Sequence, residues 1–320
     1  MKNLRHAVMV SRMGRQIDRF HEYQPARGFA ERLEMTKQVK GVEGVEVLYP
    51  QDFADAGETV RLLQGSGLSV SAVNLNVKSE KKWQTGSFTS PDPGLRREAV
   101  EYLKTAMDLA AELGSDMVTC CPLIDGHNYN FEVDYVKQWP WLEEGIGEGA
   151  QHRSDVKVSL EYKINESRNY VILGDMGRTL YLCERLGLAN VGVTLDTGHA
   201  LAARETPAEV LSLAVGAGRL SYVHFNDNAR EWDWDMLPGS VNLWDLVEFL
   251  FYLDRLGWKG WAGYDVTTRE ADPVETMEAT IAMMEAAEGL LRKVGSQRLQ
   301  QLIDDSAPAR TFRELMEALL

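Results

Sequence analysis

Short apolar runs alternate with longer amphipathic segments along the chain. Eight of the short runs have the length and composition of β-strands, and they cover residues 6–11, 44–49, 69–76, 117–122, 157–163, 192–196, 222–226 and 262–266. Segments with a hydrophobic period near 3.6 residues predict helices at 26–39, 54–64, 94–113, 134–149, 176–186, 207–215, 243–256 and 273–294. Strands that alternate with helices are typical of a parallel sheet in an α/β protein.

The number of these units predicts a closed (β/α)₈ TIM barrel rather than an open, doubly wound sheet. Such a barrel needs about 250 residues, and the chain has 320. The sequence after the first strand lacks the Gly-x-Gly-x-x-Gly motif of dinucleotide-binding folds. We therefore predict one catalytic domain, the barrel, over residues 1–295.

Residues 296–320 are predicted to form a helical extension. Two amphipathic pieces, 299–303 and 311–320, are separated by Ser306-Ala307-Pro308. Helices this short rarely hold by themselves. The extension therefore packs on its own barrel or contacts a neighbouring subunit, and we expect a homo-oligomer, either a dimer or a tetramer.

The charge and the cysteines narrow the range of partners and compartments. A formal net charge of −14 disfavours nucleic acid, whose phosphate backbone attracts a basic protein face. We recognise no signal peptide, and no apolar run approaches the roughly 18 residues of a membrane helix. Cys120, Cys121 and Cys183 lack the Cys-x-x-Cys spacing of a thiolate metal site. We predict a cytoplasmic protein with reduced core thiols, a small-molecule substrate, and no membrane or nucleic-acid partner.

Four consecutive predicted strands each carry, within their last three residues, a residue that can bind a hard metal ion. These residues are Glu161, Asp196, His224 and Asp265. Chemistry in a (β/α)₈ barrel lies at the carboxyl ends of the strands, and unpaired acids crowded there repel one another unless a cation joins them. Three carboxylates with one imidazole suit Mg²⁺ or Mn²⁺ better than a structural zinc site, with Co²⁺ and Zn²⁺ as alternatives.

A second set of possible ligands lies close to the first in the sequence. His199 is three residues after Asp196, and Asp233-Trp234-Asp235 follows the seventh strand. Together with Glu161 as a bridging ligand, these side chains could hold a second ion, and two close metals can clamp both oxygens of a substrate. The alternative for the Asp-x-Asp segment is a surface turn with packed indole rings.

These motifs resemble the active site of the xylose isomerase-like barrel superfamily, and within it the branch of xylose and L-rhamnose isomerases. The matching residues lie between 156 and 267, and they are Glu161-x-Lys163, Asp196 with His199, His224, Asp233-x-Asp235 and Asp265. The resemblance implies a metal-dependent isomerase of carbohydrate metabolism, formally an intramolecular oxidoreductase, that converts an aldose to its ketose by a 1,2-hydride shift.

The same resemblance implies individual roles for these residues. Glu161, Asp196, His224 and Asp265 would hold one ion, and His199, Asp233 and Asp235 a second ion whose water moves a proton between O1 and O2. Lys163 would donate to the O1 end of the sugar, which makes Lys163, Glu161 and Asp233 the catalytic group.

Residues in other loops are candidates for contacting the sugar. Trp83, His127, Phe131 and Asn226 follow the third, fourth and seventh strands, and aromatic walls both stack on sugar faces and exclude water. His127 and His21 are the candidates for opening the sugar ring. Lys78, Lys81 and Lys82 form either a solvated loop or a site for a substrate phosphate. We expect an unphosphorylated sugar resembling rhamnose, apiose, a tetrose or a pentose.

Three alternative functions remain open at this point. A one-metal ketose 3-epimerase, or a sugar-phosphate isomerase or epimerase of the same superfamily, would use the same barrel mouth. An apurinic-site endonuclease is disfavoured by the negative charge and by a count of six histidines. A barrel that binds sugar or metal without turnover would be expected to lack a ligand, whereas all the expected ligands are present in this sequence.

Overall fold

The computed structural model of the chain describes residues 4–166 and 168–320. Its eight main strands are parallel and form a closed barrel, which confirms the predicted (β/α)₈ fold. The strands are β1 Leu4–Met9, β2 Gly44–Tyr49, β3 Ser69–Leu75, β4 Met117–Cys120, β5 Lys157–Glu161, β6 Val191–Asp196, β7 Leu220–Phe225 and β8 Gly260–Tyr264. Strand β1 pairs with β2 on one side and with β8 on the other, so the barrel closes between its first and last strands.

A helix follows each strand and covers the outside of the barrel. These helices are α1 Phe29–Thr36, α2 Ala56–Gly65, α3 Pro93–Glu112, α4 Tyr135–Ala150, α5 Met176–Leu186, α6 Pro207–Gly216, α7 Leu243–Arg255 and α8 Pro273–Val294. Several begin directly after an aspartate whose carboxylate accepts a backbone N–H of the first turn, as Asp55, Asp175 and Asp272 do. This capping satisfies donors that have no partner within the helix.

Shorter elements occur in the loops at the barrel mouth. A 3₁₀ turn, Val10–Met13, follows β1, and a one-and-a-half-turn helix, Thr197–Ala202, follows β6. The remaining loops include a hairpin of Gln16–Ile17 with Glu22–Gln24 and a second pair of short strands, Gly126–His127 with Tyr170–Val171.

The predicted strands differ from the observed ones mainly at their ends. The first strand starts at Leu4 and the last at Gly260, two residues earlier than predicted in both cases, because these two residues pair with each other in the barrel. Strand β5 ends at Glu161, and Lys163 lies in the following loop, where its backbone N–H donates to the carbonyl of Leu173 at 3.0 Å.

Apolar side chains fill the layer between the barrel and its helices, whereas part of the barrel interior is polar. Leu33, Leu103 and Phe249 are among the fully buried side chains of the helical layer, and burying a side chain of this size stabilises a fold by about 1.5–3 kcal/mol. Inside the barrel, Glu46 and Tyr222 are buried as well. The interior therefore carries polar groups up to the level of the strand ends.

The extension after the barrel forms two further helices, α9 Ser296–Asp304 and α10 Pro308–Leu319. Leu299, Leu302 and Leu315 are buried, and the ring of Phe312 lies 5.6 Å from that of Trp244 on α7. The extension thus packs on α7 and α8 of its own barrel.

Two further findings bear on the cysteines and on membranes. The three cysteines are buried and free, as expected for core thiols. Among the described residues, each helix is too short or too polar to cross a bilayer.

Candidate metal centre

Three of the predicted ligands meet at the carboxyl ends of adjacent strands. Glu161 and Asp196 are the last residues of β5 and β6, and His224 is the penultimate residue of β7. The strand register places Asp196 directly beside His224. One ligand atom from each of the three side chains lies within 4.8 Å of the other two, and all three side chains are buried.

The imidazole of His224 turns one nitrogen toward both carboxylates. Its Nδ1 lies 3.1 Å from Glu161 Oε1 and 4.0 Å from Asp196 Oδ2. Asn226 donates from its side-chain amide to the same Asp196 oxygen at 2.8 Å. This second contact holds the Asp196 carboxylate in place beside the imidazole.

The donor set and its electrostatics fit a divalent cation. Burial raises the pKa of Asp196, and the negative charges of Asp233 and Glu161 raise it further. Burial also acts to raise the pKa of Glu161, but the neighbouring His224 and His199 outweigh it and lower that pKa to about 2. Two buried carboxylates beside an imidazole nitrogen are the oxygen and nitrogen donors that Mg²⁺, Mn²⁺ or Zn²⁺ takes in proteins.

His199 extends this cluster on the side of Asp233. The backbone N–H of His199 donates to Asp196 Oδ1 at 2.8 Å, which caps the short helix Thr197–Ala202. Its ring Nδ1 lies 3.3 Å from Glu161 Oε1, and Nε2 lies 3.2 Å from Asp233 Oδ2. Burial lowers the pKa of His199, but Asp196 and Asp233 outweigh this effect and raise it to about 9.

Lys163 contacts the same Asp233 oxygen as His199. Its Nζ lies 2.9 Å from Asp233 Oδ2, and it also forms an ion pair with Glu166. Burial by itself lowers the pKa of Lys163, yet the two carboxylates outweigh burial and hold it above its ordinary value. The protonated ammonium group of Lys163 therefore lies beside the cluster, and Asp233 links it to His199.

The remaining two predicted ligands contact an arginine. Arg12, in the 3₁₀ turn after β1, lies 3.0 Å from Asp235 through its Nη1 and forms an ion pair with Asp265 through its Nη2. It also donates to the hydroxyl of Thr267 at 2.9 Å. Asp235 and Asp265 thus meet at one guanidinium group, next to the group of Glu161, Asp196 and His224 rather than within it. Their assignment as metal ligands stays a prediction.

Comparison with known proteins places this arrangement in a family. The model of the "xylose isomerase-like TIM barrel" family matches residues 34–287. The chain belongs to this family. This finding confirms the resemblance drawn from the motifs.

Curated relatives and solved structures agree with the assignment. A xylose isomerase of Thermus thermophilus is 28% identical over 211 residues, which are 64% of this chain and 54% of the relative. The chain thus spans about half the length of the curated relatives it matches. Among solved structures, a D-tagatose 3-epimerase-like protein has a TM-score of 0.70 at 19% identity, covering 91% of this chain and all of its own. A D-allulose 3-epimerase from Methylomonas sp. has a TM-score of 0.69 at 16% identity, covering 89% and 97%.

The predicted sugar contacts of this xylose isomerase-like barrel lie at different depths. Asn226 is buried beside Asp196. His127 is half-buried and stacks on Tyr170 with ring centroids 5.0 Å apart. Phe131 is fully exposed on its loop. Trp83 has no exposed surface and packs edge-on against Tyr102, so contact with a sugar would require its loop to move. These four assignments stay predictions.

Two residues of the site were missed in the sequence analysis. Glu46, on β2, is fully buried with its Oε2 2.8 Å from His224 Nε2, and Arg12 joins Asp235 to Asp265. The signal for Glu46 was present, because it is an acid within the apolar run 44–49 of a strand that lines a barrel. The signal for Arg12 was barrel closure, which must bring the end of the first strand beside the end of the last.

Proposed function

We propose that this protein is a metal-dependent aldose–ketose isomerase acting on a small unphosphorylated sugar. The observation that carries the proposal is the group of Glu161, Asp196 and His224, with Lys163 held beside it by Asp233. These three residues would hold a divalent cation, which would supply Lewis-acid chemistry to the bound sugar. Mg²⁺ and Mn²⁺ are the proposed ions.

The chain's own residues supply the remaining parts of the reaction. In the proposed step, hydrogen moves with its electron pair from C2 to C1, and the proton of the O2 hydroxyl ends on O1. Lys163 remains protonated, and its ammonium group stabilises negative charge as it develops on O1. Asp233 Oδ2 forms ion pairs with both Lys163 and His199 and so fixes the position of the ammonium group. The burial of these groups keeps bulk water away from the transferred hydrogen.

Three cations near the site are already paired with carboxylates, which supports an unphosphorylated substrate. Lys163 and Arg12 are each paired with two carboxylates, and Lys82 is paired with Glu80 and Glu98. A substrate phosphate would therefore have to compete with carboxylates that these cations already contact. The xylose isomerases among the relatives support a sugar of this kind.

A panel of tetroses, pentoses and 6-deoxyhexoses, assayed for ketose formation with Mn²⁺ present, tests the proposal. The reaction run in D₂O then separates two mechanisms. A hydride shift retains the substrate hydrogen at C1 of the product, whereas an enediol path or a 3-epimerase introduces deuterium. Conversion of ketoses to their C3 epimers without aldose–ketose conversion would replace the isomerase proposal with an epimerase.

A further inference from the structure

Glu46 is a buried acid at the floor of the metal centre. It lies on β2, on the opposite side of the barrel interior from β6, and its side chain is fully buried. Its Oε1 accepts from Asn74 Nδ2 at 2.9 Å and from Thr119 Oγ1 at 2.7 Å. Asn74 lies on the adjacent strand β3 and Thr119 on the next strand, β4, so the carboxylate is held in one orientation.

The other oxygen of Glu46 contacts the back of the His224 ring. Glu46 Oε2 lies 2.8 Å from His224 Nε2, while His224 Nδ1 on the opposite edge faces Glu161 and Asp196. A carboxylate can only accept from that nitrogen, so Nε2 must carry a hydrogen. A metal-binding histidine commonly donates its second ring N–H to a carboxylate, which fixes the tautomer and the ring orientation.

Packing fixes the plane of the same ring. The ring of Tyr222 meets that of His224 edge-on with centroids 5.3 Å apart. A Cβ atom at Gly263 would lie 2.7 Å from His224 Cδ2, so only glycine leaves room for the imidazole there. The ring is therefore confined by its neighbours. Carboxylates face both ring nitrogens, and a cation bound at Nδ1 would displace the hydrogen there and leave the one that Glu46 holds on Nε2.

We propose that Glu46 is a positioning residue that holds His224 in its Nε2–H tautomer and directs the Nδ1 lone pair at the bound cation. This inference rests on the proposed metal site, and it adds that Nδ1 is the coordinating atom and that β2 takes part in the site. Glu46 lies on the Nε2 edge of the His224 ring, whereas Glu161 and Asp196 face the Nδ1 edge, so Glu46 is outside the ligand group.

The first test compares Mn²⁺ affinity in the wild type, in Glu46→Gln and in a matched control, Asp125→Asn. The amide of Glu46→Gln has one acceptor oxygen instead of two, so it cannot accept from His224 on one side and from Thr119 and Asn74 on the other. Asp125 is also a fully buried carboxylate, but its hydrogen-bond partners are Ser87 and Thr89. The dissociation constant, measured from the EPR signal of free Mn²⁺, should rise by about 10–100-fold in Glu46→Gln and by less than about threefold in Asp125→Asn.

The second test needs no variant of Glu46. Long-range ¹H–¹⁵N spectra of the Mg²⁺-loaded wild type, with the His224 signals identified by their loss in His224→Gln, report directly which nitrogen carries the hydrogen. A hydrogen on Nε2 is expected. A hydrogen on Nδ1, or equal Mn²⁺ affinity in the wild type and in folded Glu46→Gln, overturns this inference alone. A wild-type protein that binds no Mn²⁺ overturns the proposed metal site and this inference together.

Discussion

The role of Lys163 can be tested by replacing it with methionine, which keeps most of the length of the side chain and removes its charge. Only 11% of the Lys163 side chain is exposed, and its Nζ lies 2.9 Å from an Asp233 carboxylate that is 3% exposed. Removing one preorganised donor to a developing oxyanion typically costs about 10²–10³ in kcat, or about 2.7–4 kcal/mol. We expect a loss of this size in Lys163→Met, with the cation content unchanged.

The same substitution has a separate expected effect on stability. Removing one partner of a buried ion pair costs about 3–5 kcal/mol, and the lower end applies because His199 still contacts Asp233. Lys104→Met is the matched control, since Lys104 also pairs with two glutamates, Glu101 and Glu148 at 2.8 Å each, but lies on α3 outside the barrel. Its more exposed pairs should contribute about 1 kcal/mol or less, and kcat should not change.

Three measurements on each variant separate these effects. They are the rate of ketose formation with the sugar that the panel identifies, the cation content of the purified protein, and the free energy of unfolding from urea titration. If folded Lys163→Met carries its full cation content and keeps kcat within threefold of the wild type, the assigned role of Lys163 in the isomerisation is refuted.

Three further predictions concern the cation and the packing around it. Prolonged treatment with a chelator should abolish turnover, and added Mn²⁺ or Co²⁺ should restore it; full activity in the chelator would contradict the proposed metal dependence. Burial lowers the pKa of His224, but Glu46 and Glu161 outweigh it and raise that pKa. A cation must therefore displace a proton from Nδ1, so Mn²⁺ affinity in titrations should increase with pH across the neutral range, by up to about tenfold per unit; a pH-independent affinity would contradict this. In Gly198→Ala the new Cβ would lie 1.7 Å from Asn226 Oδ1, and this clash should lower the free energy of unfolding by about 1–3 kcal/mol. Gly65→Ala has open space around its Cβ and should not destabilise the protein. Urea titration of both variants compares their free energies of unfolding.

The sequence was sufficient to predict the barrel and the residues of the central cluster, for a physical reason. Alternation of strands and helices determines the order of the elements, and parallel strands place their carboxyl ends on one side. Glu161 and Asp196 end two neighbouring strands and His224 is the penultimate residue of the third, so their proximity follows once the strands are counted correctly. Their buried state follows as well, because each comes after an apolar run.

The contacts that the sequence analysis missed or left open depend on packing across the barrel. Glu46 meets His224 through the interior, between residues 178 positions apart, and nothing in the local sequence pairs them. Trp83 was expected to face a sugar because it follows the third strand, but the edge of Tyr102 on α3 provides a buried place for its ring. Whether a loop side chain of this kind packs into the core or faces the cavity depends on the shape of its surroundings. The hydrophobic periodicity of the sequence carries no information about that shape.

The distribution of charge at the barrel mouth bears on whether one or two ions bind. Asp233 is paired with Lys163, and Asp235 and Asp265 share Arg12, so these three carboxylates have cationic partners within the chain. Among the described residues, the ion pairs of Glu161 and Asp196 are with the imidazoles of His199 and His224, which a bound cation can replace, and the more distant charge of Lys78 also lowers the pKa of Glu161. An external cation should therefore bind most favourably at Glu161, Asp196 and His224. An ion at His199, Asp233 and Asp235 must compete with Lys163 and Arg12. If both ions bind, the ion at Glu161, Asp196 and His224 should bind more tightly than the ion at His199, Asp233 and Asp235. The reason is that Asp233 and Asp235 already have cationic side chains of the protein as partners.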